Sequence, residues 1–314
     1  MSFILGVDTG GTYTDAVILE DEERVIAFSK ALTTHSDLSL GIGSAVKQAV
    51  KQRNTAPEKI SLVSLSTTLA TNALVEGQGD RVALVMIGFQ DSDLEKHSIF
   101  DVLKGDPFVV IEGGHNYAGF EKSPLAKNKL SRWVSEIKGV SAYAVCSQFA
   151  VRNPEHELEA AEIIRKLTDK PVSLSHQLSA KLNGPKRALT AILNARLIAL
   201  IDLLIIKAED VIKSLGILAP LMVVRGDGAL ISAAQAREKP IETILSGPAA
   251  SIVGARWLTG ETEAIISDIG GTTTDIAVLV GGKPAIDPRG ASVGPYRTMV
   301  EAVAMYTFGL GGDS

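Results

Sequence analysis

The chain has 314 residues, of which 46% are hydrophobic and 21% are charged, and its formal net charge is −5. These values are typical of a globular protein with about two domains, and they exclude the basic surface that nucleic-acid binding requires. The single cysteine, Cys146, excludes an intramolecular disulfide framework and is consistent with a reducing cytoplasm. Because Cys146 ends an apolar run, we expect a buried structural thiol.

The N-terminal residues predict a β-hairpin with two glycines in its turn. An apolar run at residues 3–7 is followed by Asp8-Thr-Gly-Gly-Thr-Tyr-Thr-Asp15 and by a second apolar run at residues 16–19. Adjacent glycines let backbone N–H groups approach an anion, because no Cβ is in the way. The turn therefore suits a phosphate. A single copy is better explained as a tight turn in which Asp and Thr side chains satisfy local backbone donors.

The next elements are a third strand at residues 24–28, a helix at Leu38–Gln52 and a short strand at residues 60–65. That strand runs into Ser66-Thr-Thr-Leu-Ala-Thr-Asn72, where we expect a helix to begin. Polar side chains at a strand-to-helix junction are typical of ligand sites in α/β folds. N-capping by one threonine of this cluster is the alternative, although capping requires only one such residue.

From residue 81 the pattern changes to alternating strands and helices, which predicts an inserted α/β segment. His115 lies in a glycine-containing loop of this segment, where we expect a surface histidine rather than one that contacts a substrate. The predicted helices are 91–103, 124–137 and 154–167, and the predicted strands are Val82–Ile87, Phe108–Ile111, 142–149 and 171–174.

A long helix is predicted over residues 186–215, with Gly216 as its C-cap. Its central stretch, residues 189–206, is the most membrane-like part of the chain. Because that stretch contains Asn194, Arg196 and Asp202, we expect a buried helix and not a membrane span.

Two glycine turns follow the long helix. A buried strand at Leu221–Val224 leads into Arg225-Gly-Asp-Gly228, and Ser246-Gly-Pro248 opens a helix of small residues at 249–255. Small residues allow close helix packing, and a helix N-terminus is a natural anion site. The sequence leaves both explanations open.

The N-terminal turn has a near-copy, Asp268-Ile-Gly-Gly-Thr-Thr-Thr-Asp275. Six of the eight positions match at a constant offset (268 − 8 = 260). A hairpin needs Gly-Gly but does not need the same flanking Asp and Thr twice, so the repeat favours a two-part phosphate site. Asp8 and Asp268 are hard oxygen ligands of the kind that Mg²⁺ takes beside phosphate. Thr12 and Thr272 add hydroxyl donors.

The last residues form another glycine-containing loop, Phe308-Gly-Leu-Gly-Gly-Asp-Ser314. Only 54 residues follow Gly260 (314 − 260), too few for a second domain like the first, so we expect a truncated chain or one part of a divided protein. The predicted domains are a first lobe at 1–80, an inserted α/β segment at 81–185, the connecting helix with the rest of the first lobe at 186–260, and the start of a second lobe at 261–314.

Several common motifs are absent from the sequence. There is no P-loop, because Gly282-Lys283 is followed by Pro284, and no Gly-x-Gly-x-x-Gly opens a helix after a strand. There is no Gly-x-Ser-x-Gly elbow, so a serine hydrolase has no support. The five histidines and one cysteine have no metal-ligand spacing.

The paired Asp-x-Gly-Gly-Thr hairpins resemble the two phosphate loops of the superfamily that contains actin, sugar kinases and heat-shock chaperones. The wider set of motifs resembles the A subunits of the hydantoinase/5-oxoprolinase family, which includes acetone carboxylase subunits. Asp227 and Asp313 depart from the family's usual pattern. Besides the two hairpins, the matching stretches are Ser66-Thr-Thr-Leu-Ala-Thr-Asn-Ala-Leu74, Arg225-Gly-Asp-Gly228, Leu245-Ser-Gly-Pro-Ala-Ala-Ser251 and Gly309-Leu-Gly-Gly-Asp-Ser314.

This resemblance implies an α/β fold of the ribonuclease-H-like actin type, in which two lobes clamp ATP and Mg²⁺. It implies ATP-dependent opening of a cyclic amide, such as hydantoin or 5-oxoproline, often with a B subunit. Asp8 and Asp268 would be catalytic and bind Mg²⁺ or its waters, or one would orient the nucleophile. We assign the substrate side to Thr68, Thr71 and Asn72, and the cofactor site to Gly10, Gly11, Thr12, Asp15, Gly270, Gly271, Thr272, Asp275, Gly311 and Gly312.

Two other functions stay open at this point. One is an ATP-gated switch or activator subunit that acts on a protein partner, and the other is a small-molecule kinase. We expect a cytoplasmic protein, with neither nucleic acid nor a membrane as a partner.

Overall fold

The computed structural model describes residues 2–34, 36–53, 55–95, 98–270 and 273–312. The strands are β1 (Phe3–Thr9), β2 (Tyr13–Glu20), β3 (Arg24–Leu32), β4 (Ile60–Thr67), β5 (Val82–Ile87), β6 (Phe108–Ile111), β7 (Ala142–Ser147), β8 (Val172–Leu174), β9 (Leu221–Val224), β10 (Leu230–Ser232), β11 (Ala264–Ile269), β12 (Thr274–Val280), β13 (Lys283–Pro284), β14 (Ser292–Val293), β15 (Tyr296–Arg297) and β16 (Met305–Phe308). The helices are α1 (Leu38–Gln52), α2 (Leu69–Val75), α3 (Ile99–Leu103), α4 (Lys127–Glu136), α5 (Glu155–Thr168), α6 (Ser175–Leu178), α7 (Gly184–Ser214), α8 (Ala233–Glu238) and α9 (Ser246–Thr259).

The first sheet has the strand order β10-β9-β4-β1-β2-β3. Short turns make β1, β2 and β3 pair antiparallel, whereas β4 pairs parallel with β1 and β9 pairs parallel with β4. Among the five strands β3-β2-β1-β4-β9, only β2 runs in the opposite direction. This is the order expected of a ribonuclease-H-like lobe, so that prediction is confirmed. Every second residue of β1 is buried, and Leu5 and Val7 pack in the main core.

The inserted segment forms its own sheet, with the order β6-β5-β7-β8 and all neighbours parallel. Both faces of a parallel sheet are usually covered by helices, and β5 and β7 are accordingly buried along their whole length. Helices α4 and α5 cover one face, and α7 packs on the other. Cys146 of β7 is fully buried, which confirms the expected structural thiol, and burial raises its pKa to about 12.

Helix α7 has 31 residues and packs against both the first lobe and the inserted sheet. By length and composition alone, α7 could cross a membrane. However, 67% of its most apolar 18-residue stretch is buried inside the fold. Its buried polar side chains are paired internally. Arg196 donates to the Asp106 carboxylate over 2.7 Å, and Asn194 donates to Ser173 Oγ over 3.0 Å. The expectation of a buried helix is confirmed.

The third sheet consists of the β11-β12 hairpin, with β13 and β16 on the other edge of β12. One face packs against α9, where Ala277 and Leu279 are buried beside Ile252. The opposite face is open to solvent: Ile265 is 77% exposed and Tyr306 is 73% exposed.

Two local predictions are wrong. Residues 91–103 do not form one helix, because Asp93 caps a short 3-10 turn at Asp91–Asp93 and Ser98 has a left-handed φ of 57° before α3 begins. His115 is not a surface histidine but is fully buried. Its ring lies against His156 with centroids 4.5 Å apart, and its backbone N–H donates to Gln148 O at the end of β7. Burial lowers the pKa of His115, and the neighbouring His156 lowers it further.

Candidate functional site

The first hairpin brings two carboxylates to the same end of the first sheet. Asp8 of β1 stands directly opposite Asp15 of β2 in the antiparallel register. The turn is closed by a hydrogen bond of 3.0 Å from Gly10 N to Tyr13 O. A Cβ on Gly10 would lie only 3.1 Å from that same carbonyl oxygen, so the tight turn favours glycine. Gly11 and Thr12 are exposed at the tip.

The second hairpin repeats this geometry. Asp268 of β11 stands opposite Asp275 of β12, and Gly270 N donates to Thr273 O over 2.9 Å. The predicted phosphate residues Gly271 and Thr272 lie outside the described residues, and so does Asp313. The repeated sequence therefore gives the same strand register and the same turn hydrogen bond at an offset of 260 residues, as 268 − 8 shows.

The two hairpins lie close enough for their carboxylates to repel each other. The pKa of Asp8 is raised, first because burial disfavours its charged form and then because Asp15 and Asp268 are negatively charged; the Ser66 hydroxyl opposes this rise. Burial and Asp268 also raise the pKa of Asp275, against a hydrogen bond of 2.6 Å from Thr307 Oγ1. Asp268 therefore influences the first hairpin as well as its own.

Two buried oxygen atoms beside Asp8 have no hydrogen-bond partner among the described residues, namely Asp8 Oδ1 and Ser66 Oγ. The hydroxyl of Ser66 lies near the carboxylate without forming a well-aligned hydrogen bond. Buried polar atoms are usually satisfied, so unpaired oxygens next to mutually repelling carboxylates fit a hard cation or its water ligands. A cavity of about 270 Å³ opens onto Asp8, Asp15 and Ser66.

The Ser/Thr cluster at the end of β4 forms both local and long-range hydrogen bonds. The backbone N–H and the hydroxyl of Thr68 both donate to Thr9 O, over 3.2 and 3.5 Å. Thr71 Oγ1 accepts from Leu245 N over 3.0 Å, and the exposed Asn72 donates to Thr68 Oγ1 over 3.4 Å. Thr67 Oγ1 accepts from the N–H of Leu69, the first residue of α2, over 3.1 Å. Of the predicted substrate residues, only Thr68 touches the first hairpin.

The N-terminus of α9 lies over Asp8. Ser246 Oγ donates to Thr67 O over 2.9 Å, and it accepts from Thr67 N over 3.3 Å. A Cβ on Gly247 would lie 3.5 Å from Thr68 Cγ2 and 4.0 Å from both Asp8 Oδ1 and Ser66 Oγ. Ser66 belongs to the predicted Ser/Thr cluster but is not among the assigned site residues, and neither are Ser246 and Gly247. For Ser246 and Gly247 the signal is the Ser-Gly-Pro turn, which does not distinguish packing from anion binding.

The C-terminal glycine loop contacts the second hairpin. Gly312 N donates to Gly270 O over 2.9 Å, and Thr274 Oγ1 donates to Leu310 O over 2.6 Å. Gly312 therefore lies beside the predicted phosphate turn, and Gly311 precedes it in the same loop. Asp227, one of the two departures from the family pattern, forms a 2.9 Å ion pair with Arg225 and accepts from Ala229 N.

The fold is that of an actin-type ATPase, and it contains two glycine hairpins of the same register. Residues 4–168 match the N-terminal region of hydantoinase/oxoprolinase proteins, and residues 187–314 match hydantoinase/oxoprolinase. The chain therefore belongs to the hydantoinase/oxoprolinase family.

Individual relatives agree with this membership. The chain is 28% identical to the caprolactamase subunit alpha of Pseudomonas jessenii, over 99% of this chain and 48% of that protein. It is 26% identical to the acetophenone carboxylase gamma subunit of Aromatoleum aromaticum, over 99% of this chain and 47% of that protein. A crystal structure of ATP-dependent caprolactamase from Pseudomonas jessenii is similar with a TM-score of 0.82 at 26% identity, over 98% of this chain and 48% of that one. The chain thus spans about half the length of these relatives.

Proposed function

We propose that this chain is a subunit of an ATP-dependent cyclic amidohydrolase, which phosphorylates the amide of a lactam, hydantoin or 5-oxoproline type ring. The observation that carries this proposal is the pair of hairpins with identical strand register and the same turn hydrogen bond, each with an aspartate at the end of its first strand. A caprolactamase among the relatives supports a cyclic amide as substrate. The subunit names of the relatives support a partner subunit.

The residues would act mainly by positioning. Backbone N–H groups of the two glycine turns bind the phosphates of ATP, and the N-terminus of α9 adds positive potential beside Asp8. Asp8 and Asp268 would hold Mg²⁺ or its waters, and this ion would neutralise phosphate charge. Ser66 contributes a hydroxyl next to Asp8, and Gly247 leaves room above it.

The chemistry follows from the stability of an amide. The amide oxygen attacks the γ-phosphorus of ATP, the bond to the β-phosphate oxygen breaks, and ADP leaves. The phosphorylated oxygen is now a leaving group, so the ring carbon is electrophilic and accepts water. The C–N bond then breaks, the ring nitrogen leaves with a proton, and an acyl phosphate remains. A second water hydrolyses this acyl phosphate, so the products are the ring-opened acid and phosphate. Charge neutralisation and alignment supply most of the rate.

The test is phosphate release from Mg-ATP with and without hydantoin, 5-oxoproline or caprolactam. We expect a cyclic amide to stimulate release, and we expect Asp8→Asn and Asp268→Asn each to lower the stimulated rate about 100-fold. Asp210→Asn, on the exposed side of α7, is the matched control and should keep the full rate.

Three results would contradict the proposal. Unchanged ATP turnover in both hairpin variants would remove the catalytic assignment. Stimulation by a protein alone, with no cyclic amide, would favour an ATP-gated switch. A stable phosphorylated product would favour a small-molecule kinase.

A further inference from the structure

A cavity of about 460 Å³ is lined by Leu245, which precedes α9, and by residues 287–307, which include part of strand β16. Its size is within the range of roughly 300–1,000 Å³ that is usual for small-molecule sites. The charged residues that line it are Arg289, Arg297 and Asp287. We call it the arginine cavity.

The arginine cavity is connected to the candidate site on two sides. Thr307 lines the cavity and donates to Asp275 of the second hairpin over 2.6 Å. Leu245 also lines it, donates its N–H to Thr71 over 3.0 Å, and directly precedes Ser246, which is bonded to Thr67. The cavity therefore shares Thr307 and Leu245 with the hydrogen-bond network of the candidate site.

Positive charge is in excess around the cavity. Arg289 donates to both oxygens of Asp287 over 3.1 Å, and Arg297 donates to the same carboxylate over 2.8 Å. Lys181, which precedes α7, donates to Pro288 O, and Lys186 of α7 donates to Arg289 O. Both lysines add to this positive charge. Two arginines thus share one carboxylate, and two lysines bind the backbone next to it. Burial lowers the pKa of Lys186, and repulsion from Arg297 and Lys181 lowers it further.

Arg297 keeps part of its guanidinium available. Its Nη1 donates to Asp287 and to Gly290 O, whereas its Nε and Nη2 donate to no atom of the described residues. An arginine carries five N–H donors in a planar fork that matches a carboxylate. The side chain of Arg297 is 37% exposed, so a ligand can reach it without disrupting the fold.

We propose that the arginine cavity binds a carboxylate carried by the cyclic-amide substrate, and that Arg297 determines the preference for an acidic ring over a neutral one. This inference rests on the proposed function, because it concerns the substrate of that same site. Arg289, with a side chain that is 73% exposed, contributes less than Arg297 because solvent screens its charge.

The test compares the binding of 5-oxoproline with that of its methyl ester, which has the same ring but no negative charge. Both affinities are measured by isothermal titration calorimetry in the presence of Mg-ADP. We expect the acid to bind at least tenfold more tightly than the ester. Arg297→Gln should weaken binding of the acid about tenfold and leave the ester unchanged, and Arg297→Lys should restore part of the preference. Arg132→Gln, an exposed charge change on α4, is the control.

Equal affinity of the wild-type protein for acid and ester would overturn the inference, as would an equal loss for both ligands in Arg297→Gln. If the acid preference is absent but neutral lactams still stimulate phosphate release, the proposed function stands and only this inference fails. If no cyclic amide binds or stimulates release, both fail. Binding of Mg-ATP to Arg297→Gln, measured in parallel, reports whether the variant is folded.

Discussion

Asp8 combines burial, like-charge neighbours and an unpaired oxygen at the end of β1. Burial first, and then Asp15 and Asp268, raise its pKa, while Ser66 only partly opposes them. An ionised carboxylate in such a place destabilises the fold in the absence of a cation. The same arrangement suits catalysis, because a cation or a phosphate-bound ion would relieve the repulsion. The proposed function of Asp8 therefore opposes its contribution to stability.

This conflict predicts a pH-dependent stability effect. The pKa of Asp8 in the folded state lies above 3.8, its ordinary value, which applies to the unfolded chain. At a pH between the unfolded and the folded pKa, the folded state therefore binds more protons than the unfolded state. The Asp8 contribution to the unfolding free energy is therefore lost as pH rises through that window. In EDTA, Asp8→Asn should melt a few degrees above wild type at pH 7, and the difference should shrink towards pH 4. Asp210→Asn should show no such trend, and a lower melting temperature for Asp8→Asn at pH 7 would contradict this account.

Among the helices and strands, α9 contributes to the candidate site through its first turn. Gly247 has no Cβ. A Cβ added there would lie within 4.0 Å of side-chain atoms of Thr68, Asp8 and Ser66. These distances are ordinary van der Waals contacts, so an alanine would fit without straining the fold. It would nevertheless cover the carboxylate and crowd the helix N-terminus, where a phosphate is proposed to bind.

Gly247→Ala should therefore separate binding from stability. We expect Mg-ATP affinity to fall about tenfold, which corresponds to about 1.4 kcal/mol. The melting temperature should stay the same or rise slightly, because alanine has the higher helix propensity. Gly254→Ala on the same helix is the matched control, since its added Cβ meets nothing within 4 Å. Unchanged affinity for Mg-ATP in Gly247→Ala would argue against a phosphate at this helix end.

The sequence predicted most elements but only part of the site. The hairpins were predictable because Gly-Gly turns and flanking apolar runs are local signals, and the 260-residue repeat linked them. Ser246 was not predictable as a site neighbour, since its contact with Thr67 joins residues 179 positions apart. The helix expected at 91–103 failed because periodicity cannot reveal a left-handed Ser98. The burial of His115 depends likewise on a distant partner, His156.

Across the whole molecule, the two matching hairpins have different surroundings. β1 pairs with β2 on one side and β4 on the other, whereas β11 pairs only with β12 among the described residues. Phe3, Leu5 and Val7 of β1 are buried, but Ile265 and Ile269 of β11 are 77% and 67% exposed. The two hairpins therefore have the same local geometry but differ in how tightly they are packed.

Hydrogen exchange should report this difference. We expect slower amide exchange at Leu5 and Val7 than at the equivalent positions Ile265 and Ser267, which follow at the same 260-residue offset. Because the turn hydrogen bond is the same in both hairpins, Gly10 and Gly270 provide an internal comparison. Equal protection of β1 and β11 in the isolated chain would show that packing does not decide their stability.

Helix α7 joins the inserted sheet to the first lobe, and the buried pair of Arg196 and Asp106 fastens that junction. Separating these two parts would expose the apolar face of α7 and break this buried ion pair, so we expect them to move together. The third sheet, by contrast, contacts the rest of the fold through α9, and Lys181 and Lys186 donate to the Pro288 and Arg289 carbonyls beside it. If the proposed nucleotide binding moves one part of the chain, we therefore expect the third sheet to move and these two lysine hydrogen bonds to change.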